Sequence, residues 1–108
     1  KLENVRAQYN KKSYKKAYSL GKALTGSIRG EGLKIAAKSV AAMANGCGAS
    51  TFDRKCNYYY AAQLAIKAGN SGAAAKYKAN APSSDEIFNN NSPTSVTLSC
   101  WGVTVDVK

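Results

Sequence analysis

The tail of the chain sets the tightest constraint on its fold. Val96, Leu98 and Cys100 alternate with Thr97 and Ser99, and after Trp101-Gly102 the residues Val103, Val105 and Val107 alternate with Thr104 and Asp106. A period of two in β-branched residues marks extended chain with one apolar face. A lone strand leaves its N–H and C=O groups unpaired. The tail must therefore fold on itself as a β-hairpin bent at Gly102, pair with another copy of the chain, or add to a partner's sheet. The chain up to Pro82 reads mostly with the helical period.

Residues 2–24 read as two helical stretches broken near Asn10. Tyr14, Ala17, Tyr18, Gly21 and Leu24 recur at spacings of three and four and so share one face. Thr25-Gly26-Ser27 is a stop signal. A further helix is expected over 31–44, with Leu33, Ala36, Ala37, Val40, Met43 and Ala44 as its apolar stripe. It ends at the turn-rich Asn45-Gly46-Cys47-Gly48. Ser50 or Thr51 can cap the next helix, Phe52 to Ala68, with Asp53 favoured in its first turn. Gly69-Asn70-Ser71-Gly72 closes it, and a shorter helix from Ala73 to about Ala79 stops before Pro82, because the residue before a proline is pushed off helical angles. Residues 83–94 read as a polar linker, in which Ser83-Ser84-Asp85-Glu86 could open one short turn and Ile87-Phe88 pack back on the helices. The expected organisation is a helical domain over 1–82, that linker, and a β segment over 95–108.

Bulky aliphatic residues are scarce. The hydrophobic fraction of 44% rests heavily on alanine and on seven tyrosines, so helices must gain stability by close backbone approach rather than by burying large side chains. Consecutive helix positions point about 100° apart, so at most two of Tyr58, Tyr59 and Tyr60 can share the core. The third is a candidate interface anchor, since tyrosine is enriched at binding hot spots. Trp101, Val103, Val105 and Val107 join the three tyrosines as candidate interface residues, with Trp101 expected to cap the helical core or an inter-subunit seam.

By this point the helical residues support a family resemblance. Tyr58-Tyr59-Tyr60-Ala61-Ala62-Gln63-Leu64-Ala65-Ile66-Lys67-Ala68-Gly69-Asn70, followed by Ser71 to Pro82, resembles a tetratricopeptide repeat. Tyr58 matches the first-helix aromatic, Ala62 the small residue, Gly69 the turn between helices, and Ala74 and Ala81 the second-helix alanines. Tyr9 to Tyr18 is similar to the end of one such helix, its turn and the start of its partner, with Ala17 and Leu24 in second-helix positions. Small residues let two antiparallel helices approach, and aromatics fill the wedge between successive pairs. The resemblance implies a mainly α fold of about four antiparallel hairpin helices, to which the tail adds its strand or hairpin. It also implies recognition of a protein partner.

The formal charge is +10, which favours acidic partners. Lys11, Lys12, Lys15, Lys16 and Lys22 form a candidate basic face. Lysine far outnumbers arginine, so nothing like a base-reading arginine cluster is present, and nucleic acid is not the expected partner. Contact with an anionic surface fits the charge, and no apolar run reaches the ~20 residues of a membrane span. A chain opening at Lys1 is expected to be a processed product or a fragment. Of the three cysteines, Cys47 and Cys56 are close enough to close a short loop, as an oxidising compartment would allow. Together these signs point to an exported protein, at a cell surface, in an envelope or outside the cell.

No catalytic constellation emerges. Histidine is absent, which removes the commonest general base and metal ligand. Glu3, Glu31, Asp53, Asp85, Glu86 and Asp106 are scattered except for one adjacent pair, and the cysteines lack the spacing of a zinc site. Gly21 to Ser27 looks like a phosphate-binding loop only superficially, because no lysine follows the second glycine. No catalytic, cofactor-binding or metal-binding residue is assigned. The expected function is a non-enzymatic scaffold for protein–protein interaction. Two alternatives stand beside it: a structural subunit that assembles with copies of itself through the C-terminal strand, and a basic module for nucleic acid or an anionic surface.

Overall fold

A computed structural model describes residues 1–107 of the chain; Lys108, the last residue of the expected β segment, lies outside the described residues. The protein is mainly helical, with a C-terminal antiparallel hairpin. Its helices are α1 (Leu2–Asn10), α2 (Tyr14–Ala23), α3 (Arg29–Met43), α4 (Thr51–Lys67), α5 (Ser71–Ala79) and α6 (Ser84–Asn89), and its strands are β1 (Ser95–Leu98) and β2 (Val103–Asp106). Single 3₁₀ turns at Gly26–Ile28 and Ala44–Gly46 flank α3.

The connections explain themselves locally. α1 ends in a Schellman turn, with the Ser13 N–H bonded to Gln8 O at 2.9 Å and the Lys12 N–H to Tyr9 O at 2.9 Å. Lys12 takes the left-handed position at φ 66°, where glycine is the usual residue. α4 starts under a Ser50 cap that accepts from the Asp53 N–H at 3.1 Å. It ends in a second Schellman turn around Gly69, at φ 76°.

α2 and α3 make the most intimate pair. A Cβ built on Gly21 would lie 2.5 Å from the carbonyl oxygen of Gly32, and one on Gly32 would meet the Gly21 carbonyl as closely. The two backbones therefore touch at a crossing that only glycine on both sides permits. Gly21 belongs to the apolar face foreseen for its helix, whereas Gly32 opposite carried no signal of its own.

Two clusters make the core. Val5, Ala17, Leu24 and Ile35 join α1, α2 and α3. The larger cluster joins Tyr18 of α2, Leu33, Ala36 and Val40 of α3, Phe52, Tyr59, Tyr60 and Leu64 of α4, and Leu98, Trp101 and Val105 of the hairpin. The small residues do the work expected of them, since Ala17, Ala36, Ala44 and Ala61 are fully enclosed.

The hairpin pairs within the chain. Ser95 faces Asp106, Val96 faces Val105, Thr97 faces Thr104 and Leu98 faces Val103. Its apolar side lies on the helical core, while Thr97 and Thr104 meet on the outer side through their hydroxyls at 3.0 Å. Gly102, at φ 67°, closes the turn. The segment 83–94, expected as a linker, carries a sixth helix instead. Ser83 and Glu86 form a reciprocal capping box there, and Glu86 also accepts from Lys55 Nζ on α4 at 2.7 Å. Ile87 packs on the core as expected, but Phe88 points outward and is 75% exposed. With its apolar side in the main cluster, the tail is part of the same folded unit as the helices.

The cysteine pairing differs from the expected one. Cys47 is bonded to Cys100, with Cα atoms 5.9 Å apart, and Cys56 is a buried free thiol. Sequence proximity misled here because Cys56 lies on the inner face of α4, while the hairpin turn brings Cys100 to the loop that carries Cys47. Burial first, then the Asp53 charge, pushes the Cys56 thiol up to about 11, so it is a packing residue rather than a reactive one.

Candidate binding groove

The aromatic residues expected at an interface are mostly interior. Tyr59, Tyr60, Trp101 and Val105 are buried, Val103 and Val107 are half-buried against the core, and only Tyr58 of the triplet reaches the margin. Two rings of the triplet thus share the core and one does not, as the helical spacing requires. The others are unavailable to a partner because the hairpin folds over them. Trp101 Nε1 donates to Asn57 Oδ1 at 3.2 Å, and its ring lies 4.4 Å from that of Tyr18. Asn57 is itself buried and fully satisfied, its Nδ2 donating to the carbonyls of Cys47 at 2.7 Å and Arg54 at 2.9 Å. One side chain therefore ties α4, the Cys47 loop and the hairpin together.

The basic face divides. Lys11, Lys12, Lys15 and Lys16 are exposed around the α1–α2 turn and the start of α2. Lys22 is exposed too, but its Nζ is engaged, donating at 3.1 Å to both Tyr18 Oη and Tyr60 Oη, which are themselves 2.6 Å apart. The Tyr60 bond first, then that from Tyr18, raises the Lys22 pKa above the ordinary lysine value. Lys22 is a fastener between α2 and α4.

The described residues also form a concave surface away from the hairpin. A groove of about 790 Å³ runs between α1, α3 and α5, with Ala65 of α4 in its lining. A second depression of about 430 Å³ shares Tyr9, Lys38, Lys76 and Tyr77 with it and extends it to Tyr58 and Asn80. α3 contributes Glu31, Lys34, Ile35, Lys38, Ala41 and Ala42, a stripe at helical spacing beside the one that faces the core. Small residues, among them Ala37, Ala41, Ala65, Gly72 and Ala73, keep it open.

Its electrostatics are lopsided. Glu31 is the one acidic residue in the lining, and it is already held by Lys34 at 3.0 Å and Arg6 at 3.6 Å. The Lys34 hydrogen bond first, with the Lys34 and Arg6 charges, keeps its carboxyl below the usual range. Lys38 and Lys76 make no ion pair among the described residues. Lys38 Nζ sits 5.2 Å from the centre of the Tyr9 ring, which meets Tyr14 edge-on at 5.4 Å. Burial raises the pKa of Tyr9 and Tyr77, and the proximity of Tyr9 adds to the rise at Tyr77. Tyr9 of α1 and Tyr77 of α5 both line the groove and its extension. No residue of this lining except Tyr58 was singled out from the sequence as an interface. The lysines of the groove read as an ordinary solvated helix face, and only the packing of three helices brings them together.

No family model, characterised protein or solved structure matches the chain. No helix among the described residues is long and apolar enough to cross a membrane.

Proposed function

We propose that this chain is a non-enzymatic interaction module of an exported protein, and that a segment of a partner protein lies in the groove of α1, α3 and α5. The observation that carries this reading is the groove itself. Alternate helices of a helix-hairpin array line one concave face with small side chains, which is how such arrays present extended binding surfaces. The resemblance of Tyr58 to Pro82 to a tetratricopeptide repeat agrees with this arrangement. The Cys47–Cys100 bond supports export, since such bonds persist in oxidising compartments.

Assembly with copies of the chain is less favoured. The hairpin's apolar side faces its own core and its two strands satisfy one another, which leaves only outer edges for strand addition. Light scattering behind a sizing column should give a compact species near the sequence mass of 11.4 kDa; a polydisperse, very large species would reject the module reading in favour of a polymer subunit. The groove is tested by selecting a random-peptide display library on the folded protein and on Gly72→Trp. Gly72 lines the groove, and a Cβ there would meet only Asn70 Oδ1, at 3.9 Å. Sequences enriched on the wild type and lost on the variant support the reading, and an absence of enrichment overturns it.

A further inference from the structure

We infer that the groove selects an acidic, extended segment of about five residues, held between Tyr9 and Tyr77 and fixed by Lys38 and Lys76; this rests on the groove being the partner site. The length follows from α3. Its lining runs from Glu31 to Ala42, which at ~1.5 Å per residue is roughly 16 Å. Extended chain advances ~3.3 Å per residue, so about five residues span that floor. The charge follows from the imbalance. Arg6 and Lys34 already share Glu31, but Lys38 of α3 and Lys76 of α5 converge on the same trough with no carboxylate to meet. Both are exposed, so their charge is not a burden on folding. A ligand that supplies carboxylates there replaces water at two ammonium groups, and a neutral or basic segment has nothing to offer them.

The chemistry favours a peptide over a nucleic acid. Single-stranded nucleic acid is gripped by stacking bases on open aromatic faces. Tyr9 is not open in that way, since Lys38 sits over its ring and Tyr14 abuts it. Lysines also act as point charges, which suits single carboxylates along a strand.

The test uses rhodamine-labelled twelve-residue peptides of alternating Glu-Ser, Gln-Ser and Lys-Ser, and a labelled oligo-dT of the same length, read by anisotropy on the intact oxidised protein. The Glu-Ser peptide should bind at least ~10-fold more tightly than the Gln-Ser peptide, and the Lys-Ser peptide should not bind. Lys38→Glu/Lys76→Glu should weaken the acidic peptide ~10-fold or more. Lys15→Glu/Lys16→Glu makes the same change in net charge on exposed positions of α2 and should weaken it by less than ~3-fold. Circular dichroism of both variants confirms that they are folded. Equal losses in the two variants would mean diffuse attraction and overturn the inference. Equal binding of Gln-Ser and Glu-Ser, abolished by Gly72→Trp, would keep the groove as the partner site and reject its acidic preference. Binding of oligo-dT in preference to Glu-Ser, lost in Lys38→Glu/Lys76→Glu, would assign the trough to nucleic acid. No binding by any probe would overturn this inference, while enrichment in the library selection would still uphold the groove.

Discussion

Removing the Cys47–Cys100 bond should lower thermal stability by a definite amount. The double variant Cys47→Ala/Cys100→Ala is preferable to a single one, because a lone thiol could exchange with Cys56 in the unfolded chain. The two cysteines are 53 residues apart in sequence. The chain-entropy expression for a loop of that length gives about 4 kcal/mol at 25 °C, and measured effects of disulfides are typically ~2–4 kcal/mol. Unfolding entropy scales at ~2.1 cal/mol/K per residue, so for 108 residues each kcal/mol is worth about 4 °C. The melting temperature should therefore fall by roughly 9–18 °C, read by circular dichroism or calorimetry, and reducing agent should have little further effect on the variant. Had Cys47 been joined to Cys56, the closed loop would be short and the same expression would give only about 2.7 kcal/mol. Trypsin separates the alternatives directly, because Arg54 and Lys55 lie between Cys47 and Cys56, and Lys67, Lys76 and Lys78 lie between Cys56 and Cys100. A disulfide-linked pair of fragments containing Cys47 and Cys100 is expected. A melting temperature that moves by less than ~3 °C would refute the idea that this bond restrains the unfolded chain.

Three further perturbations follow from local geometry. Gly21→Ala should destabilise by about 1–3 kcal/mol, lowering the melting temperature by roughly 4–13 °C, because its Cβ meets backbone that cannot rotate away; an unchanged melt would mean that α2 and α3 can separate freely. Lys12→Gly should raise the melting temperature by a few degrees, by about 0.5–1 kcal/mol, since it relieves a left-handed lysine in the α1 Schellman turn; a fall would show that the lysine side chain contributes more than its backbone costs. The Glu86 carboxyl is held down, from 4.5 to about 2, by the Lys55 hydrogen bond first and the Ser83 cap second. A depressed folded pKa contributes stability that is present above 4.5 and lost as pH falls towards 2. Melting temperatures of the wild type and Glu86→Gln should therefore converge across that window, and parallel curves would contradict the assignment.

How much of this was legible depended on whether a feature is local. The extended, one-faced character of the tail was, because the alternation of Val96, Leu98, Val103 and Val105 reports which side of the strand is buried wherever the strand lies. Its pairing within the chain was not, since the same alternation suits a partner strand from another copy. The order of α2 to α5 was also legible, since caps and stops such as Ser50 and Gly69 act within a turn of the residues they satisfy. The capping box at Ser83 and Glu86 was present in the sequence, yet the short stretch of asparagines after it made the segment read as a linker. What spacing could not reveal was non-local. Cys47 lies nearer in sequence to Cys56 than to Cys100, and only the fold over the core decides between them. Lys38 and Lys76 are each unremarkable on their own helix and become a pair through the packing of α3 and α5.

The two halves of the design also constrain one another. The hairpin sits on the side of the even-numbered helices, with Trp101 against Tyr18 of α2 and hydrogen-bonded to Asn57 of α4. The groove opens on the side of α1, α3 and α5, and no hairpin residue lines it. The disulfide therefore fastens the hairpin and not the groove. The α1–α3 packing that supports the groove rests on the separate cluster of Val5, Ala17, Leu24 and Ile35. Well below the lowered melting temperature, Cys47→Ala/Cys100→Ala should keep its affinity for the acidic peptide to within ~2-fold while losing stability. A parallel loss of both would mean that the hairpin face and the groove face move as one.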